Sequence, residues 1–146
     1  MKEDFRDLDP SPRILLGPGP SSAHPRVLRA MATPLVGHLD PGFVEIMEDV
    51  KSLLRFVFQT ENELTFAVSG TGTSAMETAL CNLIEDGDHV LACISGYFGE
   101  RLAQMAERYG ADVSRLERPW GEPVGVEPVR ESLAGGSTKV VTMVHA

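Results

Sequence analysis

Residues 69–77 read SGTGTSAME, and they follow directly on the apolar stretch LTFAVS. Glycine at positions 70 and 72 permits positive φ and lets a ligand approach the backbone closely. Thr71, Thr73 and Ser74 add small hydroxyl groups around them. At the start of a helix, such a composition suits an anion. The first helical amides have no intrahelical acceptor, and the helix dipole favours negative charge there. Four readings compete for the stretch. One is a tight strand-to-helix turn with no ligand. A second is a dinucleotide loop, since Gly70 to Ala75 satisfies GxGxx[G/A]; it also wants a carboxylate ending the next strand, where Cys93-Ile94-Ser95-Gly96 stands instead. A third, the nucleotide P-loop, fails because no Gly-Lys-Ser/Thr follows. The fourth is a cradle for one phosphate monoester. A second loop, SGYFGE at 95–100, offers aromatic rings near the first. Such a ring stacks on a flat heterocycle beside a phosphate pocket, although Tyr97 and Phe98 also fit as core residues of a helix start.

The elements that must hold these loops follow from hydrophobic spacing. Residues 1–13 form a polar arm, and ILLGPGPSSAHP at 14–25 a rigid, non-helical loop. Residues 25–32 predict a short helix opened by Pro25. Asp40 caps and Pro41 opens a longer one, to Phe58. Its apolar residues Phe43, Ile46, Met47, Val50, Leu53, Leu54, Val57 and Phe58 predict one buried face. Strands are expected at 64–69, 89–95, 112–118 and 139–146. Helices are expected at 74–84, with Ser74 and Glu77 as a capping box, at 97–109 and at 126–134. Alternation of strand and helix from residue 64 predicts an α/β fold with a mainly parallel sheet and flanking helices. Ligands in such sheets bind beyond the carboxyl ends of the strands, where SGTGTS lies. The last strand ends at another such position with no helix after it, so the sequence reads as part of a longer chain.

Bulk composition narrows the partners. The net charge is −8, from 13 basic and 21 acidic residues, and the basic ones are scattered. That excludes a nucleic-acid footprint of the usual kind. No apolar run reaches membrane length, and MKEDFRDLDPSPR lacks the apolar core of a signal peptide. A cytoplasmic protein without nucleic-acid or membrane partners is expected. Cys81 and Cys93 have no metal-site spacing and read as buried small hydrophobes; no metal site is expected.

Four stretches in order, LLGPGPSSAHPRVLRAM, PLVGHLDPGFVEIMEDVKSLLRFVFQT, SGTGTSAMETAL and GYFGERLAQMAERYGA, make the chain similar to the N-terminal part of class V aminotransferases. Within that class it resembles the alanine–glyoxylate and serine–glyoxylate (serine–pyruvate) group, from about residue 14 to the end. The resemblance implies pyridoxal 5'-phosphate (PLP) as cofactor, a homodimer, and part of the large domain of the type I PLP-dependent transferase fold. It implies an N-terminal arm and GPGP loop at 1–22 and an incomplete PLP-binding large domain at 23–146. Thr71, Gly72 and Thr73 match the loop that holds the cofactor phosphate. Phe98 matches the ring that stacks on the pyridine, where many relatives carry tryptophan. Gly19 matches a loop on the substrate side, and His38 a segment near the active site and dimer interface, where a structural role suits it better.

The implied reaction moves the amino group of alanine or serine to glyoxylate or a related 2-oxo acid. It needs a lysine that holds the cofactor, a carboxylate on the pyridine nitrogen and an arginine for the substrate carboxylate. In the family all three lie beyond the position of Ala146. Of the lysines here, Lys2 is in the arm, Lys51 in a helix, and Lys139 at the strand end opposite the ligand row. No catalytic residue is therefore assigned, and the 146-residue chain alone is expected to be inactive. Its half-sheet is expected to expose apolar surface and an unpaired edge, and so to aggregate. The rival expectations are another class V enzyme resembling cysteine desulfurases, a truncated non-catalytic paralogue serving as a binding partner, and a dinucleotide-binding module.

Overall fold

The computed structural model describes residues 8–145. The chain divides into two units, Met1–Ala67 and Val68–Ala146. Lys2 lies outside the described residues.

The first unit is two helices and extended connections. Helix α1, Pro25–Met31, starts where His24 Nδ1 accepts from the Arg26 amide at 3.2 Å. Helix α2, Pro41–Phe58, is capped as the sequence suggests: Asp40 Oδ1 accepts from the Gly42 amide at 2.8 Å. It ends where Gln59 turns left-handed at φ 51. The expected buried face of α2 is not achieved. Phe43, Met47, Val50 and Leu54 are half-buried, whereas Ile46, Leu53, Val57 and Phe58 are exposed. The spacing is that of a packing face, but this unit contains no second element large enough to cover it.

The second unit is a parallel sheet with helices. Its elements are α3 (Gly72–Leu83), β1 (His89–Ile94), α4 (Tyr97–Arg108), β2 (Asp112–Glu117), α5 (Val126–Leu133) and β3 (Thr138–Thr142). The strand order is β2-β1-β3, with both pairings parallel. β1 therefore lies in the middle and is apolar and buried from Val90 to Ile94, as a strand covered on both faces must be. Val90 and Leu91 are its most completely buried large side chains. α4 packs against one face through small residues: Ala103 lies against Ala92 and Ile94, and Ala106 joins Leu80, Ile84, Val90 and Met105 in the core. Gly99 sets the closest approach, because a Cβ there would stand 3.1 Å from both Cys93 O and Ile94 Cα.

The strand expected at 64–69 does not form. These residues carry no strand assignment, and Leu64, Phe66 and Val68 are exposed. A strand exists only through its ladder. β1 already has a neighbour on each side, and residues 64–69 pair with neither β2 nor β3. α3 starts two residues earlier than expected, at Gly72, and the capping box is replaced. Thr71 is the cap, its Oγ1 accepting from the Ser74 amide at 3.3 Å, while Glu77 accepts instead from the Tyr109 hydroxyl at 3.0 Å. β3 is also shorter than expected and stops at Thr142. Cys93 is buried as expected, but Cys81 is exposed on α3. Among the described residues, no helix is long and apolar enough to cross a membrane.

Candidate functional site

The sheet has two unlike edges. β1, β2 and β3 are parallel, so their carboxyl ends share one edge. α4 begins there, because only Ser95 and Gly96 separate it from the end of β1. α3 leads into the start of β1 and packs beside α4, which puts its first residues, Gly72 and Thr73, toward that same edge.

At the start of α3 the backbone is open. Among the described residues, the amides of Gly70, Thr71, Gly72 and Thr73 have no acceptor. Ser74 N goes to Thr71 Oγ1, which also lies 3.2 Å from Ser74 Oγ. Ala75 N, donating to Thr71 O at 3.1 Å, begins the helical ladder. The glycines do not act through positive φ, contrary to the expectation from sequence. Positive φ occurs instead at Gly87, Gly110, Gly121 and Gly136. Gly72 lies in the first turn of the helix, and a Cβ there would meet nothing within 4 Å. Gly70 is tighter, with Ser74 Cβ 3.4 Å from where its own Cβ would stand. The open space beside Gly72 and the run of unpaired amides at a helix start are of the kind that suits a phosphate group.

The first turn of α4 carries the aromatic pair. Tyr97 and Phe98 meet edge to face, their centroids 5.4 Å apart with planes at 76°. Both rings are about half exposed, so neither is the core residue that a plain helix start would make of it. Phe98 lines a cleft of about 210 Å³ with Ser95, Gly96, Tyr97, Gly99, Gly121 and Val144. This cleft opens at the carboxyl ends of β1 and β3. Arg118 N donating to Ile94 O at 2.9 Å and Gly121 N donating to Ser95 O at 3.0 Å tie its rim to the loop after β2.

Thr73 lines a different cleft, between α3 and α4, with Glu77, Arg101, Met105, Arg108 and Tyr109. The structure thus brings Thr71, Gly72 and Thr73 together and places Phe98 in a neighbouring cleft of the same unit. Gly19 belongs to the first unit, in an exposed bend, and His38 to an exposed turn there.

Two contributors escaped the sequence reading, Tyr97 as the partner of Phe98 and Arg101 as the partner of Tyr97. Arg101 Nη1 donates to the Tyr97 hydroxyl at 3.1 Å. Their spacing of four residues on one helix was the available signal.

Burial pushes the Cys93 thiol up, away from nucleophile chemistry. The Glu77 carboxylate that accepts from Tyr109 pushes that phenol up, and burial adds to it. Lys139 is the one lysine of the second unit. Lys51 pairs with Glu48 at 2.8 Å on α2, and Lys139 pairs with Asp88 at 2.5 Å at the opposite edge of the sheet. Among the described residues, no group of three His, Cys, Asp or Glu side chains could hold a metal ion.

Known proteins are similar to this chain in sequence and fold. The chain is 45% identical over 128 residues to an alanine–glyoxylate aminotransferase of Drosophila melanogaster, covering 88% of this chain and 32% of that protein. It is 41% identical over 140 residues to the (S)-ureidoglycine–glyoxylate transaminase of Bacillus subtilis, covering 96% of this chain and 34% of that protein. Among solved structures, an alanine–glyoxylate aminotransferase from Nostoc sp. matches with a TM-score of 0.83 and 52% identity, over 99% of this chain and 38% of its own. Pyridoxamine–pyruvate aminotransferase from Mesorhizobium loti matches at 0.80 and 28% identity, over 93% of this chain and 35% of its own. No protein-family model matches the chain. The chain spans about a third of the length of the curated relatives it matches. Over its length the chain is similar to the N-terminal portion of these aminotransferases, whose α/β fold it shares.

Proposed function

We propose that this N-terminal portion of a class V aminotransferase supplies the phosphate cradle and one aromatic wall of a PLP site. The longer protein it belongs to would move an amino group from alanine or serine to glyoxylate or a related 2-oxo acid, as a cytoplasmic homodimer. Residues 1–22 would be its arm and residues 23–146 the first part of its large domain. The observation that carries this reading is the run of acceptor-free amides from Gly70 to Thr73, with open space at Gly72. The glyoxylate-dependent relatives support the substrate class.

When bound, PLP supplies an electron sink for the α-carbon of an amino acid. The residues here do the holding. The amides of Gly72 and Thr73 and the hydroxyls of Thr71 and Thr73 bind phosphate oxygens at the positive end of α3. Phe98 presents an apolar face to the heterocycle and keeps water from it. Gly19 would line the substrate side. The paired lysines offer no group to hold the cofactor covalently, so the 146-residue chain by itself is expected to bind phosphate esters and to catalyse nothing.

The test uses the longer protein and its Thr71→Val/Thr73→Val variant. Wild type is expected to bind PLP and to transaminate alanine with glyoxylate. The variant is expected to lose roughly tenfold to a hundredfold in PLP affinity, about 1.4–2.8 kcal/mol, with much less loss for pyridoxal, which lacks the phosphate. Equal losses for both ligands would show that α3 does not hold the phosphate.

A further inference from the structure

We propose that Arg101 is a positioning residue for the cofactor ring, acting through Tyr97 on Phe98. The inference rests on the PLP reading above.

Phe98 is poorly restrained by its own surroundings. It sits in the first turn of α4, and its helix has no side-chain cap, since the residue at the cap position is Gly96. About half of the ring is exposed. A face that must stay parallel to a heterocycle needs something to hold it. Its one aromatic neighbour is Tyr97, which meets it edge to face at 5.4 Å. Tyr97 is itself about half exposed, and it is fixed at its far end by Arg101 Nη1 at 3.1 Å.

Arg101 suits this role. It lies one turn along α4, where a residue four positions on faces its predecessor. It has no carboxylate partner among the described residues, whereas Arg115 on β2 engages Glu100, Glu107 and Glu117. Its Nε is buried with no hydrogen-bond partner. Arg101 lines the cleft between α3 and α4 with Thr73 and Met105, and its guanidinium is not spent on an ion pair among the described residues. Of its five N–H donors, one on Nη1 is engaged within the unit, and it ends on the Tyr97 hydroxyl. Thr73 and Arg101 line the same cleft, so the residue that steadies the aromatic pair also sits against the turn that would hold the phosphate.

The experiment compares Arg101→Met, Arg101→Lys, Tyr97→Phe and the Arg101→Met/Tyr97→Phe double variant in the longer protein. The readouts are PLP and pyridoxal affinity by absorbance titration, and near-UV circular dichroism of the apoprotein. Arg101→Met and Tyr97→Phe are each expected to weaken both ligands by roughly three- to tenfold, because the ring face and not the phosphate is disturbed. The double variant should be no weaker than Arg101→Met alone, since both changes cut one link. Arg101→Lys keeps a donor and should recover part of the loss. The aromatic dichroism should change in parallel. Unchanged affinity in Tyr97→Phe overturns the proposal, and this variant decides alone if Arg101→Met does not fold. Loss confined to PLP, with pyridoxal spared, also overturns it. A wild-type protein that binds neither ligand would instead defeat the PLP reading, which keeps the two failures apart.

Discussion

The two edges of the sheet are made from similar residues and put to opposite use. At the amino-terminal edge, polar groups satisfy one another. Lys139 pairs with Asp88, and His89 spans the sheet, with Nδ1 2.9 Å from Thr138 Oγ1 and Nε2 2.8 Å from Ser114 Oγ. Gly87 N donates to Gly110 O at 2.8 Å, and Asp112 N to Asp88 O at 2.9 Å. At the carboxyl edge, the amides from Gly70 to Thr73 find no acceptor, and glycines 96, 99 and 121 line a cleft. Stability chemistry closes donors onto acceptors in the same molecule. Binding chemistry leaves donors pointing outward and removes the side chains that would cover them. Polarity therefore does not separate the two edges, whereas unspent hydrogen-bonding capacity does.

Substitution of one glycine at each edge sharpens the contrast. Gly99→Val should give the largest effect. Its Cβ would meet main-chain atoms of the central strand at 3.1 Å, and those atoms have little room to retreat. Moving α4 off β1 should cost about 3 kcal/mol in urea unfolding, and it should also weaken PLP, because Phe98 and Arg101 travel with the helix. Gly110→Ala acts at the other edge. Gly110 has φ 81, and a Cβ would stand 3.2 Å from Asp86 Cα. A left-handed non-glycine residue costs roughly 1–2 kcal/mol, and cofactor affinity should stay at the wild-type value. If Gly110→Ala lowered cofactor affinity as much as Gly99→Val, the division between the edges would be lost.

Much of the contrast was legible in the sequence. Period and punctuation located α2, α4, β1, β2 and α5 to within one or two residues, since Pro41, Gly110 and Gly136 act locally. The failures were non-local. LTFAVS has the composition of a strand, but pairing depends on what stands beside it, and no edge takes it up. The α2 pattern announces a packing face without saying what packs there. Gly70 and Gly72 do not adopt the positive φ that the sequence permits; Gly72 stands beside open space, and the left-handed turns fell to Gly87 and Gly110 instead. Thr71 displaced Ser74 as cap because two hydroxyl residues three positions apart offer alternative registers, which spacing alone does not rank. Arg101 was invisible as a partner of Tyr97, because many arginines stand four residues from an aromatic without touching it.

The smallest expected effect tests whether the amino-terminal edge is purely structural. Asp88 is held below the usual carboxylate range, first by its hydrogen bond from Lys139 and then by the Glu85 amide. Lys139 is raised, chiefly by the same hydrogen bond from the other side. A carboxylate with a depressed folded-state pKa stabilises the fold above its unfolded value, and that contribution disappears as pH falls through the lowered value. A lysine with a raised pKa stabilises the fold below its unfolded value and loses that contribution as pH rises through the raised one. The pair therefore contributes across the broad middle of the pH range and fails at both ends. Both groups face solvent, so the contribution is small and salt-sensitive. Lys139→Met should lower stability slightly near pH 7, and the difference from wild type should shrink as the pH is taken below the ordinary carboxylate range. PLP affinity should be indifferent at every pH. The comparison is made by urea unfolding of both proteins from pH 3 to pH 9. A cofactor affinity that followed the Lys139 substitution would show that the amino-terminal edge is coupled to the site, and the two edges would have to be treated as one device.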